Sequence, residues 1–302
     1  MKICLLLLII CFWNYSYNQI YQAFIFEQNK PMVYDAILQP IAEKSLNFYY
    51  QDEFDSSIFY YKKLLELKPD YYQGYYNISL AYAGNKNYDE VLKNLKKYVE
   101  YSLDKCDCSY FLNEKFNNIK SPEFHEIKKT CCFSFYEKNK KIKLPQTLLQ
   151  LNYIVGKEQE FLGNNYINSI EKNKLLKQNF DYFLTFIDTS FFPSKRKIGN
   201  GVGLIQLILL HADYYPNIQV SLGNKLMNQS KKGYNKKLSA YLIDRGLYNL
   251  KQKQLYGTML VKDNNGQDIL YQYDDLNLLI KRRKKLKFQP YQEYITNKSI
   301  IK

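Results

Sequence analysis

Three short polar signatures lie in a hydrophobic stretch from Gly199 to Thr258: Leu210-His211-Ala212-Asp213, Ile243-Asp244-Arg245-Gly246 and Gln254-Leu255-Tyr256-Gly257-Thr258. They gather an imidazole, two carboxylates, a guanidinium, an amide and two hydroxyls into one segment. These groups could run acid–base chemistry, with His211 as general base and Asp213 or Asp244 orienting it. Arg245 could hold a carboxylate or phosphate through two parallel N–H bonds. Gln254, Tyr256 and Thr258 are candidate binding groups, and the Thr258 hydroxyl is a candidate nucleophile. Each signature also has a plainer reading. His211 can be a core histidine with one satisfied ring nitrogen, Asp213 a turn residue bonded to its own backbone, and Asp244 and Arg245 partners in structural salt bridges.

The elements that must position these groups can be read around them. Gly203 to Leu210 is apolar nearly all round and reads as a buried helix, with Leu204, Ile208 and His211 on one face. Asp244 and Arg245 are adjacent, so on a helix their side chains diverge by about 100° and need different partners. Gly246 would let the chain turn after that helix. The alternation over 256–262, the turn signal Asp263-Asn264-Asn265-Gly266 and the return over 267–273 predict a hairpin. Gly257 would mark a bulge, and Gln254, Tyr256 and Thr258 would project to one side. Helices are expected over 147–164, 167–188, 218–229, 236–245 and 275–286. The expected class is mainly α, with one small hairpin in the C-terminal domain.

The order His-Ala-Asp, then Asp-Arg, then Gln-Leu-Tyr-Gly-Thr resembles a bacterial family called domain of unknown function 6624. The resemblance covers Leu144 to Ile295. Phe191-Phe192-Pro193, Gly199, Asn179, Arg282-Arg283 and Pro290-Tyr291-Gln292-Glu293-Tyr294 are similar to further family elements. Departures are Phe191-Phe192 for Gly-Trp, Glu158-Gln159 for Asp-Gln, Leu162 near a position where the family has Arg, and Met259 for the Gln after Thr. The resemblance implies a module and no activity. Arg282 and Arg283 join Gln254, Tyr256 and Thr258 as candidate binding residues.

No Gly-x-Ser-x-Gly elbow, His-Glu-x-x-His motif, phosphate-cradling loop or dinucleotide fingerprint occurs, and the C-terminal domain holds a single histidine. No cofactor and no metal is expected. The net charge is +14, and its densest run, Lys281 to Lys287, reads either as a contact for an anionic surface or nucleic acid or as a solvated helix face. The solvated face is preferred, and no nucleic-acid partner is expected.

Residues 1–18 read as a secretory signal, with Lys2 before an apolar core too short to span a bilayer. Cys11 lacks the small residue that would precede a lipid-modified cysteine. No other segment is apolar enough to cross a membrane. Export to the periplasm or the exterior is therefore expected.

Residues 19–104 carry an internal repeat. Ile41 and Tyr75, Ser45 and Ser79, Phe48 and Tyr82, Phe54 and Tyr88, Tyr61 and Leu95, and Leu64 and Tyr98 are pairs at one constant spacing. This resembles a tetratricopeptide repeat, in which a unit of about 34 residues folds as two antiparallel helices, with small residues where the helices approach. Such stacks bind peptides on a concave face, and Tyr50, Tyr60, Tyr72, Tyr76 and Tyr82 could supply aromatic surface or pack between helices. Residues 19–39 could add a capping helix or two.

Residues 105–143 form a connector, followed by the C-terminal domain over 144–302. The connector holds Cys106, Cys108, Cys131 and Cys132, which allow three pairings. Adjacent cysteines bond each other only with strain, so two bridges across are expected. A four-sulfur zinc site is the alternative, to which these spacings are poorly suited. Two functions remain open: a binding or scaffold protein that takes a protein or peptide partner through its repeats, and a hydrolase built on His211, Asp213, Asp244 and Arg245.

Overall fold

The computed structural model describes residues 38–102, 105–163 and 168–300. The expected signal sequence, Cys11 and most of the expected capping segment lie outside them. The described chain is mainly α, with one two-stranded antiparallel hairpin. Among the described residues, those up to Ile208 form one compact unit and those from Leu209 onward form a second. No helix among the described residues is long and apolar enough to cross a membrane.

The first unit opens with the repeat. Helices α1 (Leu38–Tyr50) and α2 (Phe54–Leu67) recur as α3 (Tyr72–Gly84) and α4 (Tyr88–Ser102). Both starts are displaced by one repeat length, and so are the left-handed residues in the two interhelical turns, Asp52 and Lys86, each at φ 58°. Small residues sit where the helices cross: Ser45, Ser57 and Ser79 are fully buried, and the Ser45 hydroxyl donates to Ser57 O at 2.7 Å. Helix α3 is buried nearly all round. Tyr76 and Tyr82 are core residues at 7% exposure, whereas Tyr50, Tyr60 and Tyr72 are half-buried.

The connector closes the end of this stack. Two 3-10 turns, Cys108–Leu112 and Glu114–Phe116, are capped by Asp107 and Asn113 side chains. Helix α5 (Pro122–Lys138) starts at Ser121, whose hydroxyl accepts from Phe124 N at 3.1 Å. Disulfides join Cys106 to Cys131 and Cys108 to Cys132, with Cα separations of 5.4 and 4.6 Å. Phe111, Phe116 and Phe124 pack with Tyr76 and Tyr98 in one core, and Tyr110 stacks on Tyr76 at 4.2 Å. The cysteine-bearing segment is thus the layer that shields the last repeat from water. The Cys108–Cys132 bond also packs on Leu149 of α6 (Pro145–Gly163). Helix α6 lies against α7 (Ser169–Phe186), and the short α8 (Lys195–Ile198) and the apolar α9 (Gly201–Leu210) follow.

In the second unit, α10 (Pro216–Asn228) packs along α11 (Lys236–Asn249). Strands β1 (Leu260–Lys262) and β2 (Asp268–Leu270) pair with Leu260 opposite Leu270. Helices α12 (Leu276–Lys285) and α13 (Tyr291–Ile300) close the unit.

Two local expectations fail, each because a tertiary contact overrides the local signal. Helix α11 runs on past Gly246 to Asn249 because Gly246 is a contact and not a stop. A Cβ there would meet Val220 Cγ2 at 2.7 Å and Pro216 O at 2.9 Å. The left-handed residue that ends α11 is Lys251, at φ 58°. Strand β1 begins only at Leu260, since residues 254–259 curl around a buried carboxylate. Gln254, Tyr256 and Thr258 therefore do not share one strand face.

Candidate functional site

The polar signatures of the second unit form two clusters. Asp244, on the buried face of α11, is fully shielded from solvent. Its oxygens accept from three backbone N–H groups, Leu255 at 2.8 Å, Tyr256 at 3.1 Å and Thr258 at 3.0 Å, and from the Thr258 hydroxyl at 2.9 Å. Burial pushes the Asp244 carboxyl up, against the downward pull of those bonds. Every contact is a donor, an arrangement matched to the ionised form.

The same loop is held from its other side by Arg283, 3% exposed on the inner face of α12. Its Nη1 donates to Tyr256 O at 2.9 Å and Gly257 O at 2.8 Å, while Nε and Nη2 donate to Gln289 O at 3.1 and 2.8 Å. Gly257, at φ 66°, turns both carbonyls toward the guanidinium. The rings of Phe288 and Tyr294 lie 5.1 Å from the guanidinium carbon. Tyr294 Oη donates to Thr258 O at 2.8 Å. The Gln254 amide donates to Met259 O at 3.1 Å and Tyr271 O at 2.7 Å, and its oxygen accepts from Met259 N at 2.9 Å. Residues 254–259 thus satisfy most of their backbone groups with side chains, from α11, α12 and α13 and from Gln254 itself, while at the two ends Gln254 N donates to Gln272 O at 2.8 Å and Met259 O accepts from Tyr271 N at 3.0 Å.

The second cluster surrounds Asp213. Arg245 Nε reaches Oδ1 at 2.7 Å and Nη2 reaches Oδ2 at 2.6 Å, a two-point ion pair. Asn249 Nδ2 at 2.9 Å and Gln219 Nε2 at 3.2 Å also donate to Oδ1. Burial alone would raise the Asp213 carboxyl, but the bonds and charge of Arg245, with Gln219 and Asn249, hold it below its ordinary value. Gln219 further donates to Leu209 O and Leu210 O, tying α10 to the end of α9. His211 is half-buried in the turn after α9.

Chemically, Asp244 has both oxygens occupied by donors and no solvent path, so its contribution is to fix the 254–259 loop. Thr258 is 5% exposed, with its hydroxyl committed to Asp244. Arg283 points inward. Arg282 is half-buried, with Nη1 3.4 Å from Leu255 O. The Asp213–Arg245 pair is half-exposed, with side-chain exposures of 39% and 36%, and His211, Tyr256 and Arg282 are also partly open to water.

Gln219 and Asn249 were not singled out in the sequence. Their signal is faint, polar residues on otherwise packed helices. In the first unit Glu158, Asn179 and Gln206 are also buried, and the amide nitrogens of Gln159 and Asn179 have no hydrogen-bond partner. No family model, curated protein or solved structure matches the chain.

Proposed function

We propose that this is an exported protein that binds a protein or peptide partner through its helical-repeat unit. The carrying observation is the aromatic surface of the first repeat. Phe59 is 59% exposed, it meets Tyr60 edge to face at 5.2 Å, and Tyr60 stacks on Phe48 at 5.5 Å. Lys44 Nζ stands 4.5 Å from the Tyr60 ring centre. In the second copy the positions matching Lys44 and Phe48 are Ile78 and Tyr82, both buried. Aromatic and cationic groups together suit a segment with acidic and apolar side chains. The two disulfides support export.

The resemblances to tetratricopeptide repeats and to domain of unknown function 6624 belong to this reading. The hydrolase alternative draws less support, because Asp244 and Thr258 are committed to each other.

The test is peptide selection against residues 19–302 from a displayed random library. Selected peptides should bind with micromolar affinity and lose it in Phe59→Ser/Tyr60→Ser, with helical content unchanged. Selections that yield only peptides indifferent to those substitutions would remove the reading.

A further inference from the structure

We propose that the exposed face of α12 docks the second unit on an anionic phospholipid surface, independently of any partner of the repeats. Residues 209–302 carry 17 Lys and Arg against 7 Asp and Glu, a net +10 within the chain's +14. Six of the seven acids are already committed. Asp213 pairs with Arg245, Asp268 with Lys262 and Asp274 with Lys253. Asp244 is caged by backbone, Asp263 holds the hairpin turn through Asn265 N and Gln267 N, and Asp275 caps α12 through Leu278 N. The cations of α12 are therefore not neutralised from within the unit.

Only Leu279 and Arg283 of α12 are fully buried. The outer side shows Lys281, Lys284 and Lys285, with Lys287 just beyond, and none of the four makes an ion pair among the described residues. Lys287 also crowds Lys237, whose ammonium is driven down by burial and then by that like charge. Leu278, 48% exposed, lies beside Lys281 and Lys285 on that side, while Ile280, 42% exposed, is turned about 200° from it toward the flank beside Lys284. A face of unpaired lysines with one exposed leucine beside them, and no acid among them, is complementary to an anionic bilayer surface.

Nucleic acid fits less well. The guanidinium forks that would read phosphates and base edges are occupied, Arg283 by Tyr256 O, Gly257 O and Gln289 O, and Arg282 near Leu255 O. What faces outward is ammonium and hydrocarbon.

The experiment is co-sedimentation of the full chain with vesicles of phosphatidylcholine alone and of an equal mixture with phosphatidylglycerol. Binding is expected to the mixed vesicles only, and to fall steeply as salt rises. Each lysine near such a surface contributes about fivefold, so Lys281→Gln/Lys284→Gln/Lys285→Gln should weaken binding about a hundredfold. Leu278→Ser should weaken the part of the binding that salt does not remove. Both variants alter exposed side chains, and unchanged circular dichroism verifies their fold. Equal binding to neutral vesicles, or a triple variant that binds like the parent, would overturn the proposal. So would full competition by soluble glycerol phosphate, which would place a headgroup site in a pocket. Tight lysine-dependent binding of duplex DNA without vesicle binding would overturn it too.

Discussion

Asp244 and Thr258 are joined twice, by the Thr258 backbone N–H at 3.0 Å and by its hydroxyl at 2.9 Å, both to the same carboxylate oxygen. Two more backbone N–H groups complete the cage. An amide at position 244 would turn an NH2 toward groups that are themselves donors. Asp244→Asn should therefore cost about 3 kcal/mol despite its matched volume. Urea unfolding measures this, and a loss below about 1 kcal/mol would mean that other contacts hold the loop.

The Asp213–Arg245 pair gives a pH signature. The Asp213 carboxyl lies below its ordinary value of 3.8 in the folded chain. A depressed acid adds stability that is complete above 3.8 and is lost as pH falls toward the folded value. Stability should decline on acidification across that window, and Arg245→Ala should flatten the decline. Each side chain is more than a third exposed, so screening limits the coupling to about 1 kcal/mol at low salt. A double-mutant cycle with Asp213→Asn, repeated in high salt, reads both the coupling and its screening.

Lys86 holds a left-handed conformation between α3 and α4, and Asn87 N closes the turn on Tyr82 O at 2.9 Å. A glycine adopts this backbone without the Cβ clash. Lys86→Gly should raise stability by about 0.5 to 1 kcal/mol, the larger backbone freedom of glycine when unfolded removing part of the gain. A higher midpoint in thermal unfolding checks it.

Much of the first unit was legible because its signals are periodic or combinatorial. The constant spacing of matched residues located four helices, and the strain of bonding Cys131 to Cys132 pointed across to Cys106 and Cys108. The second unit was less so. Gly246 stands where a helix stop is usual, yet it serves close packing of α10 on α11, and Lys251 takes the left-handed turn. The Asp244 cage lies in irregular backbone, whose N–H directions leave no trace in residue pattern. Arg283 was hidden in a basic run. Its inward direction was readable only from Leu279, four positions before it on one helical face.

Non-reducing peptide maps should link Cys106 to Cys131 and Cys108 to Cys132. Each bond closes a separation of 25 or 24 residues, so losing the first should cost about 3 kcal/mol, and losing the second less, since both constrain the same loop. Thermal unfolding with and without reductant measures the sum. An unchanged midpoint on full reduction would assign the holding of this segment to the aromatic core alone.

That aromatic core distinguishes the two repeats. Tyr76 and Tyr98, which the disulfide-stapled layer covers, correspond one repeat length back to Ala42 and Leu64 of the first copy. A methyl and an isobutyl group would leave unfilled the volume that two phenol rings occupy, and would offer no hydroxyl to receive the Asp107 N–H that Tyr98 takes at 2.8 Å. The closing layer therefore recognises one copy and rejects the other. It acts as a terminator that recognises the last copy, and duplication of the repeat could lengthen the stack only by units inserted ahead of this tyrosine pair.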